Sequence, residues 1–143
     1  MTTQHIVEQA EITLKWIRSR LELAEDALAR AKTIQDALDN AGFGETYCNV
    51  DPDGITFFTG DHADAMKLCG ALGKFVGNRW DRRLASYDES KLSYSAKMGG
   101  ADAASDFRLL ITGVEPPAHC RIETYEVSVP AKVEKRTRVV CEP

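Results

Sequence analysis

The sequence predicts an α+β protein: a long amphipathic N-terminal helix, a small antiparallel sheet with one packed helix, and a C-terminal β-hairpin. Three observations carry this. An apolar repeat with steps of 3 and 4 runs through the first 40 residues without a Pro or Gly. Beyond residue 42, short β-branched and aromatic runs alternate with turn signals. One capped apolar segment of helical period lies between those runs.

The first helix spans residues 4–40. Val7, Ala10, Leu14, Ile17, Leu21, Ala24, Leu28, Ala31 and Leu38 form a heptad stripe that only Gln35 interrupts. Trp16, Leu23 and Ala37 flank it, and Gly42 and Gly44 supply the stop. Such a helix is about 55 Å long, whereas a compact chain of this size has a diameter of about 37 Å. It therefore overhangs its own domain and calls for a second copy, with Leu14, Ile17, Leu21 and Leu28 at the contact. The alternative is a hairpin broken near Lys32 and Thr33, with Thr33 capping a second helix and Asp36 in its first turn.

The remaining elements follow in order. Residues 46–50 and 55–59 are strands around the turn Asp51-Pro52-Asp53-Gly54. Asp61 caps a helix that runs through Ala65, Leu68, Cys69 and Leu72 towards Phe75, with Gly73 and Gly77 as its stop. Strands are expected at 79–87, 91–97 and 107–113, with a loop at 98–105 and a proline corner at 115–118. Residues 121–129 and 132–141 form a last hairpin around Pro130 and Ala131. If Val129 faces Lys132, Cys120 faces Cys141. The expected division is an assembly helix (1–41) and an α+β domain (42–143) that ends in a ribbon (119–143).

Composition narrows the function classes. The chain has 143 residues, 43% of them hydrophobic and 28% charged, with a net charge of −4. That is enough apolar content for a core, and the acidic balance argues against a global grip on DNA or RNA. No apolar run reaches the roughly 18 residues that span a bilayer, and the first residues lack a signal-peptide pattern. The expectation is a cytosolic protein, with no membrane contact and no direct DNA binding. Its cysteines (Cys48, Cys69, Cys120, Cys141) are then expected as thiols, mostly buried as small apolar residues.

No phosphate-loop, dinucleotide, nucleophile-elbow or zincin motif is present. No cofactor or metal is expected, and a non-catalytic binding protein is favoured over an enzyme. His62, beside Asp61 and Asp64, reads most simply as a first-turn residue. His119 with Cys120 and Cys141 lacks a fourth metal ligand. Two clusters suit a planar anion. The first is Arg79, Trp80 and Arg82, with Lys74, Arg83, Tyr87 and Tyr94 nearby and Phe57 as a further stacking surface. Strand alternation puts Trp80 and Arg82 on one face and Arg79, Asp81 and Arg83 on the other, so Trp80 can equally be a core anchor. The second is the ribbon, where Arg121, Lys132, Lys135, Arg136 and Arg138 stand against Glu123, Glu126 and Glu134. Its plainer reading is a solvated ribbon whose charges block edge aggregation.

The stretch from Cys120 to Cys141, together with Ala71-Leu72-Gly73 and Arg79-Trp80-Asp81-Arg82-Arg83, resembles small bacteriophage counter-defence proteins. Over residues 42–143 the layout is similar to the anti-Thoeris signal-sponge family. The resemblance implies a homo-oligomer in the host cytoplasm that sequesters a cyclic-nucleotide immune messenger without cleaving it. It transfers no ligand residue; Phe57, Arg79, Trp80, Arg82, Arg136 and Arg138 are chosen for their chemistry. Two other classes fit the same helix. One is an inhibitor that binds a bacterial defence protein such as a CRISPR effector, using Glu8, Glu11, Glu22, Glu25, Asp26, Asp36 and Asp39. The other is a structural phage assembly protein.

Overall fold

A computed structural model describes residues 5–77, 79–99, 106–130 and 132–143. Helix α1 (Ile6–Asn40) is unbroken over 35 residues. No second helix starts at Thr33, because its hydroxyl donates back to the Ala29 carbonyl at 3.2 Å. That bond keeps the residue inside the helix, where capping would have needed it to leave. Beyond Asn40 the chain turns sharply, and the Phe43 amide donates to the Leu38 carbonyl at 2.9 Å.

Strands β1 (Tyr47–Asp51) and β2 (Gly54–Phe58) form the expected hairpin. Asp51 closes the turn by accepting from the amides of Asp53 and Gly54 at 2.7 and 2.9 Å. Gly54 is required by a neighbour: a Cβ there would stand 2.1 Å from the Arg108 carbonyl oxygen. Helix α2 (His62–Val76) is capped by Asp61, which accepts from the Ala63 amide at 2.8 Å. It ends at Gly77, whose φ of 68° only glycine adopts freely.

Strands β3 (Asp81–Leu84), β4 (Leu92–Lys97) and β5 (Arg108–Val114) complete a five-stranded sheet of order β1-β2-β5-β4-β3. The sheet is mixed, not wholly antiparallel, because β5 pairs parallel to β2. The intervening α2, β3 and β4 carry the chain across and back, so β5 enters the centre in the direction of β2. β3 is shorter than the expected 79–87. Asp88 accepts from both the amide and the hydroxyl of Ser90, and that turn replaces the strand's end. Most of the expected 98–105 loop lies outside the described residues, as do Gln4 at the helix start and Ala131 in the last turn.

Strands β6 (Cys120–Val129) and β7 (Lys132–Cys141) form the separate ribbon. The register is the expected one, with Val129 opposite Lys132 and Cys120 opposite Cys141. That register corrects the thiol expectation: Cys120 and Cys141 are joined in a disulfide. Directly opposed cross-strand cysteines place their Cβ atoms within disulfide reach. Ile122 and Val139 tie the base of the ribbon to the core, and the Thr137 hydroxyl donates to Glu89 at 3.2 Å.

The core lies on one face of the sheet, under α2 and the C-terminal third of α1. Phe57, Leu68, Leu72, Leu92, Leu109, Ile111 and Val114 are fully buried there. From α1, only Ala27, Ile34 and Leu38 are buried. Every residue from 5 to 26 is exposed, so about 30 Å of helix projects past the body. Ile34 is 1% exposed while Leu21 is 57% exposed. Ile34→Ala is expected to cost about 2–4 kcal/mol through the cavity it leaves, measured as a fall in denaturant midpoint at unchanged slope.

Candidate functional site

The six expected ligand residues do not converge. Phe57 is 2% exposed and belongs to the core, so it offers no face for stacking. Its place on β2 explains this: Ile55 and Phe57 point to the helix side of the sheet. Trp80 precedes β3 and packs half-buried against the same core. Its indole N–H is buried without a hydrogen-bond partner among the described residues.

Arg82 faces Tyr94 across β3 and β4. Burial pushes the Tyr94 hydroxyl above its usual pKa, and the Arg82 guanidinium partly opposes this. His62 lies against the same ring, with centroids 6.5 Å apart, and its buried Nδ1 has no partner among the described residues. Arg82 thus stands at the sheet edge over a tyrosine, apart from Arg79.

The ribbon arginines are already engaged. Arg138 donates to Glu123 at 2.9 Å and stacks on Tyr125, 4.4 Å from the ring centroid. The Arg138 hydrogen bond holds the Glu123 carboxyl below its usual pKa, with desolvation opposing it in part. Arg136 pairs with Glu134 at 3.1 Å. An anion would have to displace these carboxylates first. The ribbon has the geometry of a self-paired charged surface, the plainer of its two readings.

Arg79 lies elsewhere. With Val76, Asp81, Ser95, Ala96, Lys97 and Arg108 it lines an open hollow of about 310 Å³ beside the C-terminal end of α2. Lys97 and Arg108 are directly opposed in the β4–β5 ladder. Like charges in that position repel unless an anion intervenes. Asp106 takes up Lys97 at 3.4 Å, and Asp81 is held by Arg83 at 2.7 Å. Arg79 and Arg108 have no carboxylate partner among the described residues. The arrangement can hold a phosphate or carboxylate between two guanidinium groups. Lys97 and Arg108 were missed in sequence because they sit at the ends of different strands. The register that opposes them is the missing information.

Cysteine chemistry is divided between the two ends of the fold. Cys48 is exposed, not buried as expected, because β1 is an edge strand and the groove between it and α1 stays open. Cys69 is buried in α2, and desolvation pushes its thiol up to about 11. His119 reaches Cys120 and Cys141, but both sulfurs are spent in the disulfide. No protein-family model, curated protein or solved structure matches this chain.

Thiol titration checks this assignment. At pH 8 the native protein, diluted to the single chain, should react once, at Cys48, and the denatured protein twice. Reduction before denaturation should expose all four cysteines. Because the folded Cys69 thiol keeps its proton where an exposed one ionises, stability should fall as pH rises above about 9.

Proposed function

We propose that the chain is a self-assembling, non-catalytic binding protein that sequesters an anionic, nucleotide-type ligand. A cyclic-nucleotide immune messenger, the ligand class implied by the resemblance to phage signal sponges, is the specific occupant. The observation that carries the ligand class is the opposed pair Lys97 and Arg108 beside Arg79, with two guanidinium groups lacking carboxylate partners among the described residues. A hollow of about 310 Å³ is at the small end of ligand pockets. It suits one phosphorylated moiety, and the rest of the ligand would extend over the sheet surface or onto a second subunit.

One observation favours a second reading. Glu8, Glu11, Glu22, Glu25, Asp26, Asp36 and Asp39 are all exposed on α1. A basic surface on a bacterial defence protein would meet that acidic face without any pocket.

A release assay separates the readings. The protein is incubated with a panel of cyclic nucleotides, filtered out, then heat-denatured, and the released ligand is analysed. Intact ligand recovered only after denaturation supports sequestration. Ligand free throughout removes it in favour of a protein target, and degraded ligand makes the chain an enzyme. The double variant Arg79→Glu, Arg108→Glu should lose at least tenfold in retention, since each charge-assisted contact is worth about 1.5–3 kcal/mol.

A further inference from the structure

The projecting helix leaves a specific surface uncovered. In heptad terms Val7, Leu14, Leu21, Leu28 and Gln35 occupy the a positions, and Ala10, Ile17, Ala24, Ala31 and Leu38 the d positions. The chain's own body does not use this seam as a whole. It packs on the neighbouring row, Ala27 and Ile34, and takes Leu38 and part of Ala31 from the seam's end. Val7, Leu14, Ile17, Leu21 and Leu28 remain 46–68% exposed. At its C-terminal end the seam opens into an apolar groove of about 290 Å³ between α1 and β1, where Ala31, Gln35 and Leu38 face Cys48 and Val50.

We propose that this seam and groove are covered by a second copy of the chain running antiparallel. The proposal rests on the self-assembly reading above and adds the orientation and the register. Two independent features select them. The first is shape. The a positions carry mostly Leu, and three of the five d positions carry Ala. A parallel pair stacks like on like, giving Leu–Leu layers and underfilled Ala–Ala layers. An antiparallel pair sets a against d. Leu14 then meets Ala31 of the second copy, Leu21 meets Ala24, and Leu28 meets Ile17, so large residues face small ones in most layers.

The second feature is charge. The e positions read Glu11, Arg18, Glu25, Lys32, Asp39, alternating in sign along the seam's solvent side, and all five are exposed. In the antiparallel register just described, Glu11 lies beside Lys32 of the second copy and Arg18 beside Glu25. By symmetry each contact occurs twice, giving four attractive pairs. Shifting the register by one heptad either way sets like charges together, Glu11 with Glu25 or Arg18 with Lys32. In a parallel pair e faces g, and the g positions are Ile6, Thr13, Arg20, Ala27 and Ile34. Only Arg20 with Glu25 is then complementary.

The same register fills the groove. It brings Val7 and Ala10 of the second copy to Leu38 and Gln35, at the mouth formed with Cys48 and Val50. The two α+β bodies stand at opposite ends of the helix pair, so neither obstructs the other. A parallel pair would crowd both bodies and both grooves at one end.

A charge-reversal cycle read by sedimentation equilibrium tests the orientation. Glu11→Lys and Lys32→Glu each turn two attractive pairs repulsive, and each should weaken the dimer about tenfold. The double variant restores both pairs with the signs exchanged and should return to within about threefold of the parent. Both substituted positions lie on exposed helix surface, and a circular-dichroism melt confirms that each variant folds. Additive weakening in the double variant overturns the antiparallel register while leaving self-assembly intact. A parent chain that stays monomeric at every concentration overturns the self-assembly reading itself, and leaves the seam to a different protein.

Discussion

Everything in this structure turns on how α1 divides its surface. One row, Ala27, Ile34 and Leu38, enters the core against α2 and the sheet. The adjacent seam, from Val7 to Leu28, enters nothing in the chain itself. A helix of about 20 residues that projects alone is marginal in water, because its stability normally comes from packing of its apolar face. Each buried Leu or Ile contributes about 1.5–3 kcal/mol that an exposed one does not. The projecting half therefore gains most of its stability when its apolar face is covered, and heptad spacing suits cover by another helix.

The body supplies the complementary constraint. β5 runs through the centre of the sheet with Leu109, Ile111 and Val114 fully buried, and it pairs parallel with β2. That register fixes where Arg108 emerges and sets it opposite Lys97. The basic hollow is thus a product of the sheet's central ladder. The ribbon, by contrast, satisfies its own charges through Glu123 and Glu134, and closes its own base through Cys120 and Cys141. The proposed ligand site and the proposed assembly seam thus lie on different elements of the same chain.

The sequence made the elements legible where local chemistry decides them. The Asp51 turn, the Asp61 cap, the α1 stripe and the ribbon register all follow from residues within a few positions of one another. It failed where a distant partner decides. The parallel β2–β5 pairing depends on how α2, β3 and β4 return the chain, which no local pattern encodes. Phe57 looked like an available ring because periodicity gives a face but not which face is covered. Lys97 and Arg108 are 11 positions apart in sequence and meet only through strand register. The hairpin register alone opposes Cys120 and Cys141, whereas reduced thiols follow only from an assumed compartment that the sequence does not encode.

Hydrogen exchange along α1, followed as the protein is diluted, tests the central claim most directly. If a second copy covers the seam, amides from residues 7 to 24 are protected at high concentration and lose that protection on dilution. Amides around Ile34 and Leu38, anchored in the chain's own core, stay protected throughout. Fast exchange over residues 7–24 at every concentration would contradict the account, because it would mean that the seam stays bare and the projecting helix frays alone.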